Sequence, residues 1–357
     1  MNAPAAGLDA AGGRCEHAAV SAPPPISVVL PVRNAVATIA RAVTSVQAQT
    51  CPAWELLVVD DGSTDGTREW LRRAAADDVR IRIVEQPAHG LVRALNAGLA
   101  AARGRLIARM DADDECHPER LAAQAARLEA DPAVGLVSCL VGYGGDRTAN
   151  AGYALHVDWL NTLVTPEQIA LNRFVESPFA HPSVMFRREL VDRHGGYRDG
   201  AFPEDYELWL RWLDAGVRMA KVPRELFTWH DPPGRLSRTD PRYDPEAFFR
   251  MKAAYVARHL ARSGRTEVWV WGAGRPTRKR AAHLAAHGVS LAGYIDVDAK
   301  KTGKTVGGVP VIAPEGLPAP GRILVLGYVS SRGARGLIRA ELARRGYAEG
   351  RDFLMCA

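Results

Sequence analysis

Three carboxylates, Asp111, Asp113 and Asp114, follow directly on an apolar run in the stretch LIARMDADDECHPERL. Acids crowded at the end of a buried strand raise one another's pKa and cost stability unless something offsets their charge. A divalent cation does so. Oxygen-only ligation by Asp suits Mg²⁺ or Mn²⁺, which takes one or two protein carboxylates and fills its shell with phosphate oxygens of a substrate. The alternative is a solvated turn capping the helix after Pro118, with Asp114 or His117 at its start. Similar clusters recur. VVDDGSTDGT (58–67) places Asp60, Asp61, a Gly turn and several hydroxyls after another apolar run, and reads equally as an Asx turn with an N-cap. LPVRN (30–34) places Pro31, Arg33 and Asn34 after a third, where a plain loop is the alternative. In AFPEDYELWLRW (201–212), Glu204 and Asp205 open a helix, where acids also serve simply to complement the macrodipole.

The elements that must position these residues follow from the hydrophobic pattern. From Ile26 the runs ISVVLPV, WELLVVD, RIRIVEQ and LIARMD alternate with helix-period segments near 36–49, 67–76 and 91–102. Runs that are apolar throughout predict strands covered on both faces, hence a mainly parallel α/β sheet. Ligands of such sheets sit outside the carboxyl ends of the strands, so polar clusters at three strand ends point to one shared site. Between about 134 and 260 the rhythm loosens, through VGLVSCLVGYGG, HPSVMFRR, a helix over EDYELWLRWLDAG and the aromatic LFTWH. From Thr266 a second alternation begins with TEVWVWGAG, RKRAAHLAAHG, VSLAGYIDVD, RILVLGYV and a final helix over GARGLIRAELARRG. The expected organisation is a disordered leader over 1–24, one domain over 25–262 and a smaller one over 263–357.

The formal charge of +6 is carried by arginines spread along all 357 residues, which suits an anionic small substrate or membrane surface better than nucleic acid. No helix-turn-helix or zinc-finger spacing is present, and no basic and aromatic interleaving supplies a stacking platform. Five scattered cysteines, Cys15, Cys51, Cys116, Cys139 and Cys356, form no CxxC pair. They disfavour a disulfide framework or structural zinc and fit a reducing cytoplasm. The first residues lack the continuous apolar segment of a signal peptide, and no stretch reaches the roughly 20 apolar residues of a membrane span. The expectation is a cytoplasmic protein, with peripheral contact at the inner membrane face left open.

LPVRN, then VVDDGSTD, then HGLVRALNAGLAAARGRLIARMDADD resemble, in order and spacing, the nucleotide-binding half of the family 2 glycosyltransferases with the GT-A fold. The likeness runs from about 26 to 235. It implies that Pro31, Arg33, Asn34, Asp60 and Asp61 cradle the nucleoside of a nucleotide-sugar donor, and that Asp111 and Asp113 address ribose and a Mg²⁺ or Mn²⁺ ion. This chain departs from the pattern at Ala35, where many members carry an acid, and at Leu95, where others carry Arg; Arg93 could supply that charge from elsewhere. The resemblance also implies an inverting reaction with Asp205 as base, Glu204 as the fallback, and His230 as a metal ligand or phosphate contact. Inversion needs one carboxylate to take the acceptor hydroxyl's proton while that oxygen attacks the anomeric carbon opposite the leaving diphosphate. His181 is expected to support the acceptor site, Arg235 and Arg238 to sit on a loop that could close over phosphates, and Trp209, Trp212 and Trp229 to be core. The QxxRW signature of processive members is absent, so one sugar per encounter is expected. UDP is the first guess for the donor nucleotide, with dTDP and GDP open, and the acceptor is a glycan or a lipid-linked glycan.

VWVWGAGRPTRKRAAHL (268–284) reads as strand, Gly turn and helix, with Gly272 and Gly274 matching a dinucleotide fingerprint whose third position is Thr277. Asp296 and Asp298 fall about 20 residues on, where a ribose-binding acid would lie. With KTGKTVGGVPVIAPEGLP, this half resembles the small Rossmann-like domain at the front of some sugar acyltransferases. Its expected role is nucleotide binding or docking. Two other functions are kept open: a dinucleotide-dependent oxidoreductase centred on GAGRPT, and a non-catalytic sugar-nucleotide sensor.

Overall fold

The structure is a computed structural model and describes residues 25–265 and 267–357; the leader expected over 1–24 lies outside the described residues. The first half alternates as the pattern predicts. β1 (Ile26–Val32), α1 (Ile39–Gln47), β2 (Trp54–Asp61), α2 (Thr67–Asp77), β3 (Ile81–Gln86), α3 (Leu91–Ala101) and β4 (Leu106–Arg109) follow in order. Every residue of β1 and β2 is buried, because helices cover both faces of these strands. β1 pairs in parallel with β2 and β4, and β2 with β3. Gly98 lets α3 lie close on the sheet: a Cβ at this position would stand 2.4 Å from Val29 Cγ1 and 3.2 Å from Val59 Cγ2.

The sheet then becomes mixed. β5 (Glu115–Cys116), α4 (Arg120–Ala130), β6 (Val134–Tyr143), α5 (Ala151–Asn161), α6 (Pro166–Asn172), β7 (Met185–Arg187), α7 (Glu189–His194), α8 (Glu204–Asp214) and β8 (Arg218–Trp229) complete eight strands in the order β3-β2-β1-β4-β7-β6-β8-β5. β7 runs antiparallel to both β4 and β6, so the parallel expectation holds for β1 to β4 and gives way beyond them. After the excursion through α5 and α6 the chain returns in β7, directly beside β6. A short α9 (Leu236–Thr239) and the long α10 (Pro245–Arg262) lead out of this half.

A second sheet follows, built from β9 (Glu267–Trp271), α11 (Arg275–Ala281), β10 (Ser290–Ile295), β11 (Thr305–Val306), β12 (Val309–Ile312), β13 (Val325–Gly327), α12 (Ala334–Arg344) and β14 (Phe353–Met355). Its order is β11-β12-β10-β9-β13-β14, with β9 and β13 adjacent and parallel. The chain thus winds outward from β9 in both directions, the doubly wound arrangement with its switch point between β9 and β13. One apolar cluster joins the halves, running from Phe174, Tyr206 and Leu210 through α10 to Val268, Val270 and Leu326. No described helix is long and apolar enough to cross a membrane.

Candidate active site

The strand-end loops converge on one cavity of about 1060 Å³. Pro31, at the end of β1, lines it with Arg33 and Asn34. Asn34 has φ 52°, the one positive value at a non-glycine among the described residues, a conformation Asn tolerates because its short amide bonds locally. The bonds are visible: the Asn34 N–H donates to Ser63 Oγ at 2.9 Å, and Asn34 Oδ1 accepts the Thr64 N–H at 2.8 Å. The first two strand-end loops are therefore tied to each other.

The paired acids after β2 divide their work. Asp60 is buried under its own turn, accepting the Ser63 N–H at 3.0 Å and Arg68 Nε at 2.7 Å, and does not line the cavity. Burial raises its pKa, but the bonds from Ser63 and Arg68 outweigh it and leave the carboxyl below its ordinary value. Asp61 does line the cavity, while accepting Gln86 Nε2 at 2.6 Å and the N–H groups of His89 and Gly90 at 2.8 and 2.9 Å. It fixes the approach to α3. On that helix Leu91 and Ala94 face the cavity, whereas Arg93 is exposed and lies outside its lining.

After β4, Asp111 and Asp113 line the cavity and Asp114 is buried beneath them. Ligand atoms of the three lie within 4.8 Å of one another. Burial and the neighbouring Asp111 push Asp113 up to about 6, partly countered by Arg235. Burial, then Asp111 and Asp113, raise Asp114 well above the usual carboxylate range, and its Oδ2 is buried with no partner. An all-oxygen set of mutually destabilised carboxylates with an orphaned oxygen fits a hard divalent cation. The turn is braced from below by Arg120, which is buried and donates to the Arg109 carbonyl at 2.8 Å and to Gln124 Oε1 at 3.1 Å. Arg109, also buried, reaches Asp111 Oδ1 at 2.8 Å.

His230 stands one step away from this arrangement. Its N–H donates to Asp114 Oδ1 at 2.8 Å, while its ring lies 3.8 Å from Glu115 and outside the cavity lining. Burial lowers its pKa. The third acid beside Asp111 and Asp113 is thus Asp114, and His230 touches the cluster through its backbone.

Pro203, itself extended, caps α8, which begins with two further cavity-lining residues, Glu204 and Asp205. A helix N-terminus lowers carboxylate pKa values, yet burial wins at both. Burial, followed by the charge of Glu204, pushes Asp205 up to about 8, against a bond from the Tyr206 N–H at 2.7 Å. Glu204 is more deeply buried and also raised, but it is well partnered: Tyr243 Oη donates to its two oxygens at 3.0 and 2.8 Å, and Arg242 Nη1 lies 4.0 Å away. His181 Nδ1 lies 3.8 Å from Glu204 and its Nε2 meets Tyr197 Oη at 2.8 Å. Burial, then Arg109, hold that imidazole neutral, well below its ordinary pKa. Trp209 and Trp212 on α8 are core, as expected. Trp229 both packs on the core and lines the cavity.

The segment 231–243 folds across the cavity. Asp231 anchors it, accepting Tyr143 Oη and Arg238 Nη2, the latter at 2.7 Å. Arg235 lies over the Trp229 ring at 4.0 Å and lines the cavity; Arg238 is engaged with Asp231 instead. Three cationic side chains around this space keep a buried nitrogen with no hydrogen bond: Arg109 Nε, Arg235 Nη1 and Arg242 Nη1. Such orphaned donors in a polar cavity call for an anionic ligand.

Residues 27–195 match the family described as glycosyl transferase family 2. EpsE of Bacillus subtilis (strain 168), a protein designated a glycosyltransferase, is 31% identical over 212 residues, covering 57% of this chain and 72% of its own. The chain belongs to glycosyl transferase family 2. AmsE of Erwinia amylovora, an amylovoran biosynthesis glycosyltransferase, is 31% identical over 188 residues, 51% of this chain and 66% of its own. Among solved structures, residues 1–349 of S. aureus TarS, crystallised with UDP-GlcNAc, superpose with TM-score 0.50 at 18% identity, over 73% of this chain and 71% of that one. This second likeness concerns the fold, which for this glycosyltransferase is GT-A.

Three residues lining the cavity, Arg109, Arg242 and Tyr243, are not anticipated from the sequence. Arg109 was signalled as a lone charge inside the apolar LIARM run. Asp114 is expected in the acid cluster, with a helix cap as the alternative. Tyr243 and Arg242 lie in a single 3₁₀ turn, Pro241–Tyr243, about 40 residues beyond the ED pair, and only the fold brings them to Glu204. In the second sheet, Asp296 turns inward: its carboxylate accepts the Ala273 N–H at 2.8 Å and pairs with Lys301 at 3.1 Å.

Proposed function

We propose that this glycosyltransferase moves one sugar from a nucleotide-diphosphate donor to an acceptor hydroxyl, with inversion and with help from Mg²⁺ or Mn²⁺. The observation that carries the reading is the cavity itself, whose lining brings Asp111, Asp113 and Asp205 together with Arg109, Arg235 and Arg242, each of which keeps a buried nitrogen without a hydrogen bond. Pro31, Arg33, Asn34 and Asp61 cradle the nucleoside; Asp60 keeps their loop in shape rather than meeting the donor. Asp111, Asp113 and Asp114 hold the ion, with His230 orienting Asp114 through its N–H. A divalent ion bound there supplies positive charge against the leaving diphosphate. Arg235, held on Trp229, adds a fixed cation where negative charge develops.

Asp205 takes the proton of the acceptor hydroxyl as its oxygen bonds to the anomeric carbon. The bond to the diphosphate oxygen breaks on the opposite face, and its electron pair leaves with the nucleotide. A carboxyl raised to about 8 is a stronger base than an ordinary aspartate and is matched more closely to an alcohol proton. Glu204, held by the Tyr243 hydroxyl, is the positioning and charge-setting partner. The relative AmsE, by its name a glycosyltransferase of amylovoran biosynthesis, supports a place in surface polysaccharide synthesis, with a glycan or lipid-linked glycan as acceptor. A cytoplasmic reaction at the inner membrane face accords with the net charge of +6. The division at 262/263 and the likeness of the C-terminal half to the front domain of sugar acyltransferases form part of the same proposal, with docking as the role of that half.

The test is donor hydrolysis across UDP-, dTDP- and GDP-sugars, with Mn²⁺ and with chelator. At least one donor should turn over with the metal and lose most of its turnover without it. Hydrolysis of none, or of all equally under chelation, overturns the proposal.

A further inference from the structure

With Asp205 as the base, the acceptor hydroxyl has to reach the first turn of α8. The next residue, Tyr206, fixes what surrounds that turn. Its hydroxyl donates to the Arg173 carbonyl at 2.6 Å, and its ring packs on Phe248 with the centroids 5.9 Å apart. Arg173 begins the stretch that leads to Glu176 and Ser177, while Phe248 lies in the first turn of α10. Glu176, Ser177 and Phe248 all line the cavity together with Asp205. The proposed donor and metal contacts use none of the three.

The backbone around Glu176 is fixed on both flanks. On one side Tyr206 holds the Arg173 carbonyl, and the buried Lys252, reaching from α10, donates to the carbonyls of Val175 and Cys356 at 3.3 and 2.7 Å. On the other, the Ser177 hydroxyl donates to the Phe179 carbonyl at 3.3 Å. The Glu176 carboxylate itself is hardly engaged: Oε1 accepts the Ser177 N–H at 3.2 Å, and among the described residues no side chain donates to either oxygen. Lys252 is spent on carbonyls and does not pair with it. An ionised carboxylate is an acceptor only, with two oxygens side by side, and hydroxyls donating to it make strong, charge-assisted bonds. Two hydroxyls on adjacent carbons of a sugar ring match that pair of oxygens. An acidic sugar would instead bring like charge up to Glu176. Phe248 adds the apolar wall that a binding site of this kind places beside a few polar groups.

We propose that Glu176 and Phe248 form the acceptor subsite, which takes an uncharged sugar by two neighbouring hydroxyls and thereby selects the glycan that is extended. The inference rests on the glycosyl-transfer reading and deepens it. It gives α10, the helix that joins the two halves, a part in substrate choice.

The experiment titrates the full chain with methyl glucoside, methyl galactoside and methyl mannoside, read by saturation-transfer NMR. At least one of them should bind the wild type. Glu176→Gln should weaken that binding about tenfold or more, the loss expected of a hydrogen bond to a charged group. Glu176→Asp keeps the charge and should bind more tightly than Glu176→Gln. Both variants should melt with the wild type, because the carboxylate bonds no other side chain. Binding of none of the glycosides, or equal binding by the wild type and Glu176→Gln, overturns the subsite. Lost binding together with a sharply lowered melting temperature would make Glu176 a structural charge and overturn it as well. If the glycosides behave as expected but no nucleotide sugar is hydrolysed, the glycosyl-transfer reading falls and takes the acceptor role with it, leaving a carbohydrate site alone.

Discussion

At the scale of single residues, the two acids at the start of α8 have been driven apart in role by their surroundings. Tyr243 shares its one hydroxyl proton between the oxygens of Glu204, while Asp205 accepts only the Tyr206 N–H and is pushed up to about 8. Replacing Asp205 with Asn should lower transfer by about 10²- to 10⁴-fold and leave donor affinity unchanged in titration calorimetry. Near-normal turnover would remove the base assignment. A base works only when ionised, so kcat/KM of the wild type should fall as pH drops below about 8 and level off above it. Glu204→Gln deletes the negative charge that helps raise Asp205, so the acid limb of that profile should move to lower pH; an unmoved limb would mean that burial alone sets the value. The candidate acids were legible because carboxylates stand directly behind apolar runs at several strand ends in one sheet, where ligands bind. Which of them grip and which merely brace was not legible: Asp60 and Asp61 are adjacent in sequence, and only the placement of Arg68 and Gln86 separates them.

At the scale of elements, the site depends on how closely α3 and the 231–243 segment approach the strand ends. Gly98→Ala would press a methyl into Val29 and Val59, and overpacking of this kind costs about 1–3 kcal/mol. Urea denaturation should register that loss; an unaltered midpoint would show that α3 can shift without penalty. Asp231→Asn removes the charge that Arg235 and Arg238 lean on. Its expected result is weaker donor binding with little change in overall stability, read by calorimetry and thermal melting together. The first four strands could be read directly, since strands covered on both faces leave an uninterrupted apolar signature. The mixed half could not. β7 is only three residues long, and its direction is set by a tertiary return rather than by local pattern. The same holds for β13, where a longer apolar stretch yields three paired residues.

For the whole molecule, the two sheets share a core through α10. Tyr255 on that helix donates to Glu207 on α8 at 2.5 Å, and Phe174, Tyr206 and Leu210 pack in one cluster with Val268, Val270 and Leu326. Fully burying a large apolar side chain contributes about 1.5–3 kcal/mol, so uncovering three of them removes a large part of a total that is usually about 5–15 kcal/mol. Removing residues after 262 should therefore lower the melting temperature strongly, as circular dichroism would report. A fragment melting like the full chain would mean that the shared cluster contributes little. The pattern change near 262–265 announced a second α/β unit, but periodicity carries no information on how two units press together.

The claim on which the rest depends is that Asp111 and Asp113 engage a nucleoside diphosphate through a divalent ion. Its most direct test is calorimetric titration of UDP, dTDP and GDP into the wild type and Asp113→Asn, with Mn²⁺ and with chelator. The account predicts that at least one nucleotide binds the wild type with Mn²⁺ and loses tenfold or more in affinity both on chelation and in the variant. Equal affinity under all of these conditions, or no binding of any nucleotide, would contradict it.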